Sequence, residues 1–236
     1  MNRIREVFGV DRVVLPVVHP ISRDAALASV EIAHAAGAKG IFTINQGMND
    51  DEVLALVRDI HQRYPSLWLG VNLLGYVPAQ MLPTLLDACG RIDGIWADNA
   101  GIDERGGEQP LSAALVATRR ARGWNGLYFG GVAFKYQREV AGDALGRAAT
   151  LAAQYMDVVC TSGPGTGKAA NVDKVAAMRA ALGPDHAIAL ASGVTADNVA
   201  SYLPYVDAFL VGTGIEASFG VLDRGKLTAL LAAVEG

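Results

Sequence analysis

Short, nearly continuous apolar runs alternate with helical stretches from one end of this chain to the other. The runs are Val13–Val18, Gly40–Ile44, Trp68–Asn72, Gly94–Asp98, Gly126–Ala133, Asp157–Thr161, Ala187–Ala191 and Ala208–Val211. None alternates apolar with polar residues, which is how a parallel strand reads when both of its faces are buried. The intervening stretches carry helical spacing and helix punctuation. Asp50–Tyr64 places Val53, Leu54, Leu56, Val57 and Ile60 along one face. Ser22 is an N-cap for Ser22–Ala36, which stops at Gly37. Val172–Leu182 stops at Gly183-Pro184, Thr195 is placed to cap a helix over Ala196–Leu203, and Lys226–Val234 closes the chain.

Eight β–α units in 236 residues give about 30 residues per unit, the length of one βα repeat. The expected fold is therefore a (β/α)8 TIM barrel of class α/β, a single domain over residues 1–236. An open doubly wound sheet also reads as β-α-β-α, but no strand here leads into a GxGxxG dinucleotide fingerprint.

With 51% hydrophobic and 19% charged residues, the chain can bury a large core. The net charge of −4 argues against nucleic-acid binding by counterion release. Cys89 and Cys160 stand alone, in neither a disulfide framework nor a zinc spacing. The charged start, MNRIREVFGVDR, has no signal-peptide core, and no apolar run is long enough to span a bilayer. The default compartment is the cytoplasm.

In a barrel of this kind, chemistry belongs at the C-terminal strand ends. Those ends read His19, Asn45, Asn72, Asp98, Lys135, Thr161-Ser162, Ser192 and Gly212-Thr213. The opposite ends also carry polar residues, among them Asp93, His186 and Asp207. The first set combines acid, base, amide and hydroxyl groups beside glycine-rich turns, as a small polar substrate needs. Asn45, Asn72 and Asp98 also suit ordinary turns. Lys135, directly after an apolar run, is harder to explain as a solvated residue. His34 and His61 fall inside helices and read as packing or surface groups.

Three glycine turns follow the last three strands: Thr161-Ser-Gly-Pro-Gly-Thr-Gly-Lys168, Ser192-Gly-Val-Thr195 and Gly212-Thr-Gly-Ile-Glu216. Loops after strands seven and eight often build phosphate sites in such barrels, because glycine lets backbone N–H groups approach the anion. Ser162, Gly163, Gly165, Ser192, Gly193, Gly212, Thr213 and Gly214 are thus candidate phosphate contacts, with Asn45 and Asn72 as further substrate contacts. The alternative is that they are only tight βα turns. The strand-six loop is not a P-loop: GxxxxGK[ST] would need glycine at Ser162 and a hydroxyl residue at Ala169. No HxH, HExxH or EF-hand pattern marks a metal site, and no cofactor is expected.

The segments DVVCTSGPGTGKAANVDKVAAMRAAL and IALASGVTADNVASYLPYVDAFLVGTGIE resemble the BtpA/SgcQ family, which shows a similar S-G-x-G-T-G-K loop, an S-G-V-T-x-x-N-V segment and a V-G-T turn. The likeness covers Asp157–Glu216. VAFKYQ, around Lys135, resembles a V-x-x-K-H stretch with Tyr136 in place of histidine, and LPVVHPIS loosely resembles M-V-H-L-P-P. Departures over residues 40–120 point to a distant branch. The resemblance implies a phosphate-binding barrel. One branch of that family is linked to photosystem I assembly and another to sugar metabolism.

Together these readings lead to an enzyme acting on a small phosphorylated metabolite, a phosphosugar or ribosyl phosphate, by isomerase, epimerase or aldol-type lyase chemistry. Lys135 would polarise a carbonyl or form a Schiff base, Asp98 would be the general acid/base, and His19 a second proton carrier. The alternative is a non-catalytic barrel that binds a phosphorylated ligand or assists complex assembly. Either is compatible with a homo-oligomer.

Overall fold

A computed structural model describes residues 2–235. Eight parallel strands, β1 (Val13–Val18), β2 (Gly40–Ile44), β3 (Trp68–Asn72), β4 (Gly94–Ala97), β5 (Leu127–Gly131), β6 (Val158–Ser162), β7 (Ala187–Ala191) and β8 (Ala208–Val211), close in sequence order, with β8 pairing β1. Every residue of these strands is buried, as continuous apolar runs require. The open-sheet alternative is excluded by the β1–β8 ladder. Among the described residues, eight α-helices accompany the strands: α1 (Arg3–Phe8), α2 (Arg23–Ala35), α3 (Asp50–Arg63), α4 (Pro78–Cys89), α5 (Pro110–Arg122), α6 (Leu145–Ala152), α7 (Val172–Leu182) and α8 (Arg224–Glu235).

Strand β4 ends one residue before the expected Asp98, β6 is shifted by one residue from the expected Asp157–Thr161, and three further elements depart from the sequence expectation. The stretch Ala196–Leu203 is a single 3-10 turn, Val199–Ser201, not a helix. Asn198 turns its side chain back on the loop, accepting from Thr195 N and donating to Gly193 O, which competes with helix propagation. Strand β5 stops at Gly131, because Ala133 takes a left-handed φ of 48° that no strand continues. Residues 3–8, read only as a charged start, form α1. Its Ile4 and Phe8 are buried, and Phe8 packs edge-on against Trp68 at 5.2 Å, so α1 plugs the barrel bottom.

The barrel interior is asymmetric. Phe42, Trp68, Trp96 and Phe129 meet edge-to-face on the β2–β5 side, with ring centroids 5.1–6.1 Å apart. Ala187, Ala189, Ala191 and Ala208 line the opposite wall. The rings fit because β3 and β4 are smooth inside: a Cβ at Gly70 would fall within the Phe42 ring, and one at Gly94 within the Trp68 indole.

A repeated device organises the N-terminal ends. Asp93, Asp157 and Asp207 stand one residue before β4, β6 and β8. Each accepts the backbone N–H of the preceding strand's second residue, Leu69, Tyr128 and Ile188, at 2.8–2.9 Å. Each is also paired with an arginine: Arg91, Arg119 and Arg179 respectively. The polar groups at this end therefore close the barrel.

Candidate functional site

Side-chain parity decides which polar residues face the barrel axis. Strand residues two apart share a face. The inward sets therefore extend upward from Val17 to His19, from Gly70 to Asn72, from Trp96 to Asp98, from Cys160 to Ser162 and from Leu210 to Gly212. Val17, His19, Trp96, Lys135, Thr166, Gly167, Ser192, Leu210, Gly212 and Thr213 line a cavity of about 30 Å³ at the C-terminal mouth.

His19 is buried, and its Nδ1 lies 2.7 Å from Glu216 Oε1. With Nδ1–H donating to the carboxylate, Nε2 is left as the basic nitrogen. Phe219 stacks on the imidazole at 5.0 Å. Glu216 and Phe219 belong to a short hairpin, β9 (Glu216–Ser218) with β10 (Val221–Leu222), and Gly220 N–H also donates to Glu216 Oε1. Glu216, at the end of a glycine turn, carries no local sequence signal of this role, because its partner stands 197 residues away. A Cβ at Gly212 would meet His19 Cε1 at 2.5 Å, so that glycine makes room for the imidazole.

Asn72 is buried and donates to Asp98 Oδ1 at 3.0 Å. Burial raises the Asp98 carboxyl above the ordinary carboxylate range, against the opposing pull of the Lys135 charge and the Asn72 hydrogen bond. Asp98 is therefore easier to protonate than a surface aspartate, as a proton carrier requires.

Lys135 lies four residues beyond β5, within a turn shaped by left-handed Ala133 and Tyr136. Its backbone N–H donates to Ser162 Oγ at 2.8 Å, and Nζ reaches Ser192 Oγ at 3.3 Å and Thr166 Oγ1 at 3.4 Å. The ammonium thus bridges the loops after β5, β6 and β7. Tyr136 Oη accepts the Thr166 N–H at 3.2 Å, holding the strand-six loop over the mouth.

Lys174, on the first turn of α7, had no place in the sequence reading. It is half-buried, and Nζ donates to the carbonyls of Ala133 and of Ser162, the latter at 2.9 Å. Burial lowers its pKa to about 8. Between pH 8 and the ordinary 10.5, the folded protein binds fewer protons at this amine than the unfolded chain. Stability should therefore rise with pH across that window. Below pH 8 both states are protonated and the dependence vanishes. We expect a 15N-lysine NMR titration midpoint near 8 for Lys174. The difference in urea stability between wild type and Lys174→Met should vary only across that same window; a midpoint near 10.5 would refute it.

The remaining candidates separate into two groups. Asn45 stands outside the mouth: its amide donates to Asp50 and Leu74 O, and its Oδ1 accepts Leu74 N, so it ties the β2 and β3 loops together. Gly163 and Gly193 lie hard against the Lys168-Ala169 backbone, and Gly214 against Val194 O. Their missing side chains allow the last three loops to pack on each other. Gly165 is more open, near Tyr136 Oη. The amides of Gly193, Gly212, Thr213 and Gly214 donate to no acceptor among the described residues.

Comparison with known proteins speaks to the fold. No family model matches the chain, so the BtpA/SgcQ likeness stands as a resemblance in the quoted motifs. No curated protein matches either. Among solved structures, phosphoribosyl anthranilate isomerase from Thermus thermophilus superposes with a TM-score of 0.66 at 16% identity, covering 95% of this chain and 98% of that one. Monomers of the dimeric phosphoribosylanthranilate isomerase of Thermotoga maritima give 0.65 at 15%, covering 95% and 99%. A native KDPGal structure gives 0.65 at 16%, covering 94% of each chain. At these identities the likeness establishes the TIM-barrel fold over the length of a single domain. No helix among the described residues is long and apolar enough to cross a membrane.

Proposed function

We propose that this barrel is an enzyme acting on a small phosphorylated metabolite, a pentose phosphate or ribosyl phosphate, by proton transfer beside a carbonyl. The observation that carries the reading is the grouping at the C-terminal end of the barrel of an ammonium (Lys135), a carboxyl raised by burial (Asp98), an imidazole oriented by Glu216 (His19) and the backbone of Gly212 and Thr213, which lines the same cavity as Lys135 and His19. The amides of Gly193, Gly212, Thr213 and Gly214, with the Ser192 hydroxyl, suit a phosphate dianion, which accepts several N–H bonds at once. Structural neighbours named for a phosphoribosyl substrate support the same class.

The roles follow from chemistry. Lys135, charged and held between two hydroxyls, stabilises negative charge developing on a carbonyl oxygen. Asp98 removes the proton next to that carbonyl, and His19 Nε2 shuttles a proton on the other side of the mouth. Ser162 holds the Lys135 backbone, and Asn72 holds the Asp98 carboxylate.

Calorimetric titration with inorganic phosphate and with ribose 5-phosphate tests the reading. Lys135→Met should weaken ribose 5-phosphate by roughly 10- to 100-fold through loss of charge-assisted hydrogen bonds. Equal affinity in the variant, or no binding of either ligand to the wild type, would refute the site. Gly214→Val is a poor probe, since its side chain would strike Val194 O whether or not phosphate binds there.

A further inference from the structure

The barrel mouth is floored by Val17, Trp96 and Leu210, an apolar surface beneath His19, Lys135 and Ser192. Trp96 is 4% exposed, and its Nε1–H is a buried donor with no hydrogen-bond partner among the described residues. Trp124, also buried, instead donates its indole N–H to Ile92 O at 2.8 Å. A buried donor without an acceptor is costly and uncommon. The Trp96 ring is held by edge-on contacts with Phe42 at 5.8 Å and Phe134 at 6.2 Å, so it cannot readily turn to find a carbonyl. Its inward parity, two residues before Asp98, which follows the end of β4, directs it to the cavity it lines.

We infer that Trp96 is a ligand-contacting residue whose indole N–H donates to an uncharged oxygen, a hydroxyl or carbonyl, at the deepest point of the bound sugar phosphate. The inference rests on the proposed function for the identity of the ligand, and adds a determinant for its carbon portion. A neutral donor on an apolar floor favours a neutral acceptor, whereas phosphate meets the ammonium and amides above. Trp96 thus distinguishes a sugar phosphate from phosphate alone. A deoxy analogue lacking the deepest oxygen would leave the N–H unpaired and be rejected.

The experiment uses the full chain, inorganic phosphate and ribose 5-phosphate. Trp96→Phe retains an aromatic filler and removes the donor. Calorimetry should give unchanged phosphate affinity and ribose 5-phosphate affinity weaker by roughly five- to tenfold, the effect of one neutral buried hydrogen bond. In 15N-labelled wild type, ribose 5-phosphate should move the Trp96 indole resonance downfield, and phosphate alone should not. Trp68→Phe and Trp124→Phe would assign that resonance by elimination should Trp96→Phe fail to fold. Ribose 5-phosphate that binds wild type and Trp96→Phe equally, with a stationary Trp96 resonance, would overturn the inference while leaving the phosphate site standing; a resident water would then be the acceptor. Failure of wild type to bind either ligand would overturn the proposed function, and this inference with it.

Discussion

Asp98→Asn should lower turnover of a responsive pentose phosphate by roughly 10²- to 10⁴-fold, the range for loss of a positioned general acid/base, while inorganic phosphate binds as before. The substitution is nearly isosteric. The new amide oxygen can still accept from Asn72 Nδ2, so the β3–β4 end of the mouth keeps its hydrogen bond. What disappears is a group able to exchange a proton. Because burial raises the Asp98 carboxyl, the base form appears only as pH climbs above the ordinary carboxylate range. The wild-type rate should therefore increase with pH through that raised value, and the variant should lose this limb of the profile. Steady-state kinetics over a panel of pentose phosphates, with calorimetry of phosphate on both proteins, reads both quantities. Full turnover in the variant would remove Asp98 from the chemistry. A wild type that binds the panel without turning any member over would favour the non-catalytic reading.

The largest loss of stability is expected far from that site. Arg179 on α7 donates to the carbonyls of Tyr205, Gly183 and His186 and to the Asp207 carboxylate. Asp207 in turn accepts from Ile188 N at 2.8 Å and from Asn2 at 2.9 Å. Both side chains are largely buried. Arg179→Ala strands a buried carboxylate and leaves three carbonyls without their donor. Breaking a buried pair on one side costs about 3–5 kcal/mol. At roughly 2–4 °C per kcal/mol for a chain of this size, Tm should fall by roughly 10 °C. The double variant Arg179→Met/Asp207→Asn should recover part of the loss, because no unpaired charge remains. A single-variant Tm within roughly 2 °C of wild type would show that water replaces the guanidinium at no cost.

Legibility in the sequence follows the range of the interactions. Strand positions were readable because a parallel barrel strand must be apolar on both faces. Five strands, β1, β2, β3, β7 and β8, occupy the ranges that their apolar runs define. Strand β5 ends early because a left-handed Ala133, stabilised by Lys174 on its carbonyl from a helix 41 residues away, stops it. The helix expected at 196–203 fails because the Asn198 side chain bonds its own loop. Once eight units were counted, their C-terminal ends named His19, Asn72, Asp98, Lys135 and Ser192 without knowledge of any contact.

What the chain alone determined is therefore the alternation, the number of units and the list of polar residues at one rim. Those depend on local burial and on period. Which of those residues meet, and what holds them, was decided by closure of the barrel. Closure brings Glu216 to His19, Asn72 to Asp98 and Ser192 to Lys135 across 197, 26 and 57 residues respectively. It also turned Asn45 to binding loops, and turned Asp93, Asp157 and Asp207 from stray polar groups into clasps between strands. Such pairings carry no short-range signature. A hydrogen bond between residues distant in sequence leaves the pattern around each partner unchanged, and it exists only once β8 has come round to β1.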